Sequence, residues 1–193
     1  MELDQNYWQG RYESGSTPWD IGHVSPPLKA YFDSLDNREM SILIPGAGRA
    51  YEAVYLHEIG FKNVIVCDWA KAACEQFLES APSFPTSQVI YGDFFELHEN
   101  YDLILEQTFF CAISPMLRKA YVDKAAELLV PAGKLSGLLF ASHFKQPGPP
   151  FGGTKNEYLE LFSGKFEISR LEQAENSILP RMRNEFFFEF IRK

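Results

Sequence analysis

Residues 41–68 read SILIPGAGRAYEAVYLHEIGFKNVIVCD, and their order decides the fold. Ser41 to Pro45 is a short apolar run of the kind that forms a buried strand. Pro45, Gly46 and Gly48 then punctuate the chain. Glycine there lets the backbone turn tightly and approach a ligand with no Cβ in the way. From Arg49 the period changes: Ala50, Val54, Leu56 and Ile59 predict one face of a helix, and Gly60 its C-terminal stop. A second apolar run, Val64 to Cys67, ends in Asp68. Strand, glycine loop, helix, strand and terminal acid make a βαβ unit with a carboxylate about twenty residues after the glycines. That geometry grips a nucleoside ribose by its hydroxyls.

The loop has little with which to hold a pyrophosphate. A dinucleotide fingerprint wants a third glycine where Tyr51 stands, and a phosphate loop wants Gly-Lys-Ser/Thr where Gly48, Arg49 and Ala50 stand. An adenosine with a non-phosphate tail, such as S-adenosylmethionine, fits better. A plain βαβ unit with an incidental acid fits the same letters, because Gly-x-Gly alone is a weak signal.

Outward from this unit, strands alternate with helices. Residues 4–12 predict a short helix and 13–25 a loop, together carrying Tyr7, Trp8, Tyr12 and Trp19 among glycines, serines and prolines. These rings either pack a flap onto the domain or form a lid that encloses a cation, since aromatic faces attract a sulfonium by roughly 1–2 kcal/mol when water is excluded. Pro26 and Pro27 open a helix through Tyr31 and Leu35. Residues 70–80 predict a helix, Gln88 to Tyr91 a third strand, and Tyr101 to Glu106 a fourth. Ser114 is an N-cap with Pro115 at N1 for a helix to about Val130, and Pro131-Ala132-Gly133 turns into a fifth strand, Leu135 to Phe140. The loop HFKQPGPPFGG follows, then a helix over 154–163 and two strands, Phe166 to Leu171 and Glu185 to Ile191. The expected fold is α/β: a Rossmann-like, doubly wound, mostly parallel seven-stranded sheet with an antiparallel last strand. It makes one domain over 1–193, with 1–25 as an aromatic lid. Gly46, Asp68, Asp93 and Gln107 all fall at carboxyl ends of strands, where such sheets bind ligands. Asp93 beside Phe94 suits an adenine, with the acid accepting from the amino group and the ring stacking on the base; a turn acid beside a core phenylalanine reads equally well.

Composition bounds the function. A 193-residue chain with 46% hydrophobic and 23% charged residues is an ordinary globular domain. Its net charge of −8 disfavours nucleic acid as a partner. Aromatic content of 15% exceeds what the core needs and predicts a ring-lined pocket. Cys67, Cys74 and Cys111 show no paired spacing and read as buried, reduced thiols. No signal peptide or membrane-length apolar run is seen, so a cytoplasmic protein without membrane attachment is expected. Histidines and cysteines lack metal-ligand spacing, so no metal is expected.

The chain resembles the class I S-adenosylmethionine-dependent methyltransferases and, within them, the thiopurine S-methyltransferase family with its halide and thiol branch. The likeness rests on Trp8-Gln9-x-x-Tyr12, Thr17-Pro18-Trp19-Asp20, Ile44-Pro45-Gly46-Ala47-Gly48, Gly92-Asp93-Phe94-Phe95, Thr108 to Pro115 with Arg118, and Pro147-Gly148-Pro149-Pro150-Phe151. The resemblance implies that Trp8, Tyr12 and Trp19 surround the cofactor's methionine and sulfonium end. It further implies that Gly46 touches the cofactor through its backbone, Asp68 holds the ribose, and Asp93 and Phe94 frame the adenine. Gln107 stands where relatives carry a cofactor-contacting arginine or tyrosine, and Ala47 replaces the usual cysteine of the loop.

The implied reaction moves a methyl group to a small soft nucleophile (thiol, sulfide, halide or thiopurine), leaving S-adenosylhomocysteine. Such a displacement gains from alignment and desolvation and needs no base. His23 and His143 fall in loops able to face the site, though a solvated loop histidine is the plainer reading of both. A monomer acting on a small-molecule acceptor is expected. The alternatives are a non-catalytic S-adenosylmethionine-binding sensor or partner-binding module, and a nucleotide-dependent oxidoreductase, against which the missing third glycine speaks.

Overall fold

A computed structural model describes residues 2–193; Met1 of the expected lid lies outside them. The seven strands are β1 (Ser41–Pro45), β2 (Asn63–Asp68), β3 (Val89–Tyr91), β4 (Tyr101–Gln107), β5 (Leu129–Phe140), β6 (Phe166–Gln173) and β7 (Glu185–Arg192). They form one sheet in the order β3-β2-β1-β4-β5-β7-β6. The first five pair in parallel, and β7 runs antiparallel to both its neighbours, as expected.

Alternation along the central strands builds two cores. Ile42 and Ile44 of β1, with Leu103 and Leu105 of β4, face α2 (Pro26–Asp33), α3 (Tyr51–Glu58) and α4 (Lys71–Ser80). Leu43 and Ile104 face α5 (Arg118–Leu128) and α6 (Lys155–Phe162). Strands buried on both faces are what helices on both sides of a parallel sheet require. The remaining helix, α1 (Gln5–Glu13), is capped by Asp4, whose side chain accepts the Tyr7 N–H at 2.8 Å.

Four local readings are corrected. The helix after the glycine loop begins at Tyr51, because Ala50 is left-handed at φ 50° and serves as its N-cap. Its fully buried residues are Ala53 and Leu56, whereas Val54 and Ile59 are only partly covered. α2 stops at Asp33, short of Leu35. Ser114 caps a single 3-10 turn, Pro115–Leu117, before α5, and α5 ends at Leu128. Leu129 already pairs with Tyr101, so Pro131-Ala132-Gly133 is an irregularity within β5 rather than a turn before it. Burying Leu129 against the neighbouring strand outweighs the local turn signal.

Candidate active site

The carboxyl ends of β1, β2 and β4 converge on a cleft of about 900 Å³, near the upper end of ligand-pocket sizes. β1 runs into Gly46 and Gly48, both left-handed at φ 57° and 54°. Neither tolerates a side chain: a Cβ on Gly46 would strike the Phe109 ring, and one on Gly48 would sit 2.6 Å from the Tyr12 hydroxyl. The loop is held by Asp68 at the end of β2. One carboxylate oxygen accepts the Gly48 N–H at 2.9 Å and the other accepts the Ala70 N–H at 2.8 Å. Asp68 is buried, and desolvation pushes its pKa up to about 6 despite these bonds.

Seven of the eight expected site residues line this cleft: Trp8, Tyr12, Trp19, Gly46, Asp68, Asp93 and Phe94. The three lid aromatics form one cluster, with Trp8 and Tyr12 rings 5.6 and 5.9 Å from Trp19. α1 lies against α4 through Ala70, Ala72 and Ala73. Gln5 Nε2 donates to the Trp69 carbonyl, Gln9 Oε1 accepts the Ala72 N–H, and Gln76 Nε2 donates to the Tyr12 carbonyl. Asp93 caps the next turn by accepting the Phe95 N–H at 2.9 Å. Phe94 is only 3% exposed and stacks on Tyr121 at 5.4 Å, so it belongs to the cleft floor.

Gln107 is placed differently. It lines a smaller adjoining pocket of about 50 Å³, with Arg49, Asp20, His23 and Thr108. There Gln107 Oε1 and Arg49 Nε are buried without hydrogen-bond partners among the described residues; the 3.7 Å from Arg49 Nε to Asp20 Oδ2 is an ion pair only. Unpaired buried polar atoms are costly, and the chemistry of this pair, one acceptor and one donor, suits an amino-acid end of a ligand. His143 does not line the cleft; its Nε2 pairs with Glu157 at 3.0 Å. His23 Nδ1 contacts the Val24 carbonyl at 2.7 Å.

Sequence reading missed Trp69, Phe109, Arg181 and Glu106. Trp69 follows Asp68 directly and Phe109 lies within the quoted Thr108 to Pro115 motif, and both line the cleft. Arg181 comes from the connection before β7, where no periodic pattern marks it, and donates to the Trp19 carbonyl at 2.7 Å. Glu106 stands in an apolar strand, and that polar residue at a strand's end was the available signal.

The family model for thiopurine S-methyltransferase matches residues 3–188. The chain belongs to the thiopurine S-methyltransferase family. Among its relatives, a probable thiol methyltransferase 2 of Arabidopsis thaliana is 30% identical over 180 residues, covering 90% of this chain and 79% of the relative. A thiopurine S-methyltransferase of Shewanella woodyi is 26% identical over 199 residues, covering 90% and 88%. The fold matches a solved magnesium protoporphyrin IX methyltransferase of Synechocystis PCC 6803 with bound SAM: TM-score 0.76, 14% identity, 100% and 98% covered. This member of the thiopurine S-methyltransferase family is an S-adenosylmethionine-dependent methyltransferase. Among its described residues, no helix is long and apolar enough to cross a membrane.

Proposed function

We propose that this enzyme methylates a small soft nucleophile: a thiolate, sulfide, halide or thiopurine sulfur. The observation that carries this is the make-up of the cleft. Its nucleoside end presents Asp68 and Asp93, while Trp8, Trp19, Phe109, Phe140, Phe144 and Pro149 to Phe151 form an aromatic and apolar wall, with Glu2, Asp4, Arg11 and Arg181 also on the lining. No histidine or lysine lines it among the described residues. An aromatic wall without a histidine or lysine favours weakly hydrated anions over hard acceptors that must lose a proton.

The residues present fit the cofactor. Asp68 would receive the ribose hydroxyls on lone pairs left free by the loop amides, and Asp93 would accept from the adenine amino group above the Phe94 floor. Gly46 would lie against the ligand through its backbone. Trp8, Tyr12 and Trp19 would enclose the sulfonium, their faces stabilising positive charge by roughly 1–2 kcal/mol in a dry site. Gln107 and Arg49 would take the amino-acid end, answering their buried unpaired atoms. When bound, the cofactor supplies an electrophilic methyl group on sulfur. The lid, residues 2–25 as described, then excludes water and aligns the acceptor. Supporting a cytoplasmic enzyme without nucleic-acid partners are buried free thiols and a net charge of −8.

The test is methyl transfer to a panel of thiols, sulfide, halides, thiopurines, amines and nucleic acid, beside calorimetry with S-adenosylhomocysteine. Transfer to a thiol or halide in preference to amines is expected. Label reaching only an amine or nucleic acid would overturn the acceptor class, and binding without transfer to any acceptor would favour the sensor alternative.

A further inference from the structure

Glu106 is a buried carboxylate to which the cleft chemistry assigns no role. It is the next-to-last residue of a buried strand, is 1% exposed, and has no cationic partner among the described residues. One carboxylate oxygen accepts the N–H groups of Phe109 and Phe110, both at 2.8 Å, and the other accepts the Tyr121 hydroxyl at 3.0 Å. These bonds close the chain into an arch over 107–113 that passes through Thr108 in the left-handed region at φ 60°. A threonine adopts that conformation only where its surroundings impose it. The arch supplies Thr108, Phe109, Cys111, Ala112 and Ile113 to the cleft, and Phe109 fills the space above the Gly46 backbone.

We propose that ionised Glu106 is a positioning residue for methyl transfer: it holds the 107–113 arch so that Phe109 and the glycine loop define one binding surface. This rests on the methyltransferase reading and extends it to a side chain that lines no part of the cleft. The groups facing Glu106 are Tyr121 of α5, Cys111 of the arch and Tyr158 of α6, with the Arg118 guanidinium beyond them over the Phe110 ring. Burial raises its pKa to about 7, so the arch loses its ionised anchor just below neutral pH. Hydrogen bonds to a charged acceptor exceed neutral ones by about a factor of ten in equilibrium terms, which sets the expected effect.

Two measurements test this on the full chain. Hydrogen exchange should show the Phe109 and Phe110 amides losing about ten-fold protection, beyond the intrinsic rate change, as pH falls through the Glu106 transition. Affinity for S-adenosylhomocysteine should fall by a similar factor, above a separate step from Asp68. In Glu106→Gln both amides should lack the upper step, and affinity should stay at the low-pH level, leaving only the Asp68 step. Tyr121→Phe, which removes one donor to the carboxylate, should move the upper step to higher pH, a change that loosened packing alone does not produce. An unchanged upper step in Glu106→Gln, or wild-type affinity in that variant, overturns the proposal and leaves the methyltransferase reading intact. A wild-type protein that binds no S-adenosylhomocysteine at any pH overturns both.

Discussion

The Arg181 guanidinium donates to the backbone carbonyl of Trp19 at 2.7 Å, joining residues 162 positions apart in the chain. Glu185 backs the same guanidinium at 3.4 Å. The connection before β7 therefore clasps the N-terminal segment where both line the cleft. Arg181→Lys keeps the charge beside Glu185 but loses the planar fork that reaches two partners. It should lower kcat/KM about ten-fold and expose residues 14–24 to proteolysis, with a small change in melting temperature. Limited proteolysis with and without S-adenosylhomocysteine, beside steady-state kinetics, checks it.

Removal of residues 2–25 should leave a domain that melts cooperatively, because both cores are built from residue 28 onward. Affinity for S-adenosylhomocysteine should drop by about a hundredfold or more, as each buried ring contributes roughly 1.5–3 kcal/mol to closure. Trp19→Ala in the full chain should reduce turnover with little loss of stability. A truncated chain that fails to fold would show that the segment is a brace, not a lid.

Asp68→Asn should weaken S-adenosylmethionine and S-adenosylhomocysteine alike, by about 2 kcal/mol or roughly thirty-fold. The equal effect follows because the side chain holds the Gly48 amide and, in the proposed binding mode, would meet the ribose rather than the methyl group. Calorimetry with both ligands reads it, and unchanged affinity in a folded variant removes Asp68 from the site.

Burial raises the pKa of Glu106 from 4.5 to about 7 and that of Asp68 from 3.8 to about 6. A carboxyl with a raised folded-state pKa stabilises the fold fully below its unfolded value, and that contribution is lost as pH rises through the folded value. Denaturant titrations should therefore show Glu106→Gln gaining about 2–3 kcal/mol on wild type between about pH 5 and about pH 8. The ionised form that would organise the arch is thus the less stable one, a trade expected at functional sites.

The sequence by itself determined the sheet, its antiparallel last strand and the strand tips, because those follow from apolar runs, glycines and local caps. It also placed Gly46, Asp68, Asp93 and Phe94 at one cleft, since a parallel sheet brings its carboxyl ends together whatever the loops do, whereas Trp8, Tyr12 and Trp19 were placed there only by the family resemblance. Only the tertiary structure decided what each side chain meets. Asp68 already holds Gly48 and Ala70, Phe94 lies under Tyr121, and Gln107 opens into the smaller pocket with Arg49. Leu129 joins the sheet where the local pattern continues a helix. The roles of Glu106 and Arg181 were not legible for one physical reason: a buried charge declares its role only when the groups packed around it are known, and these are set by the Thr108 arch and by a segment 162 residues away.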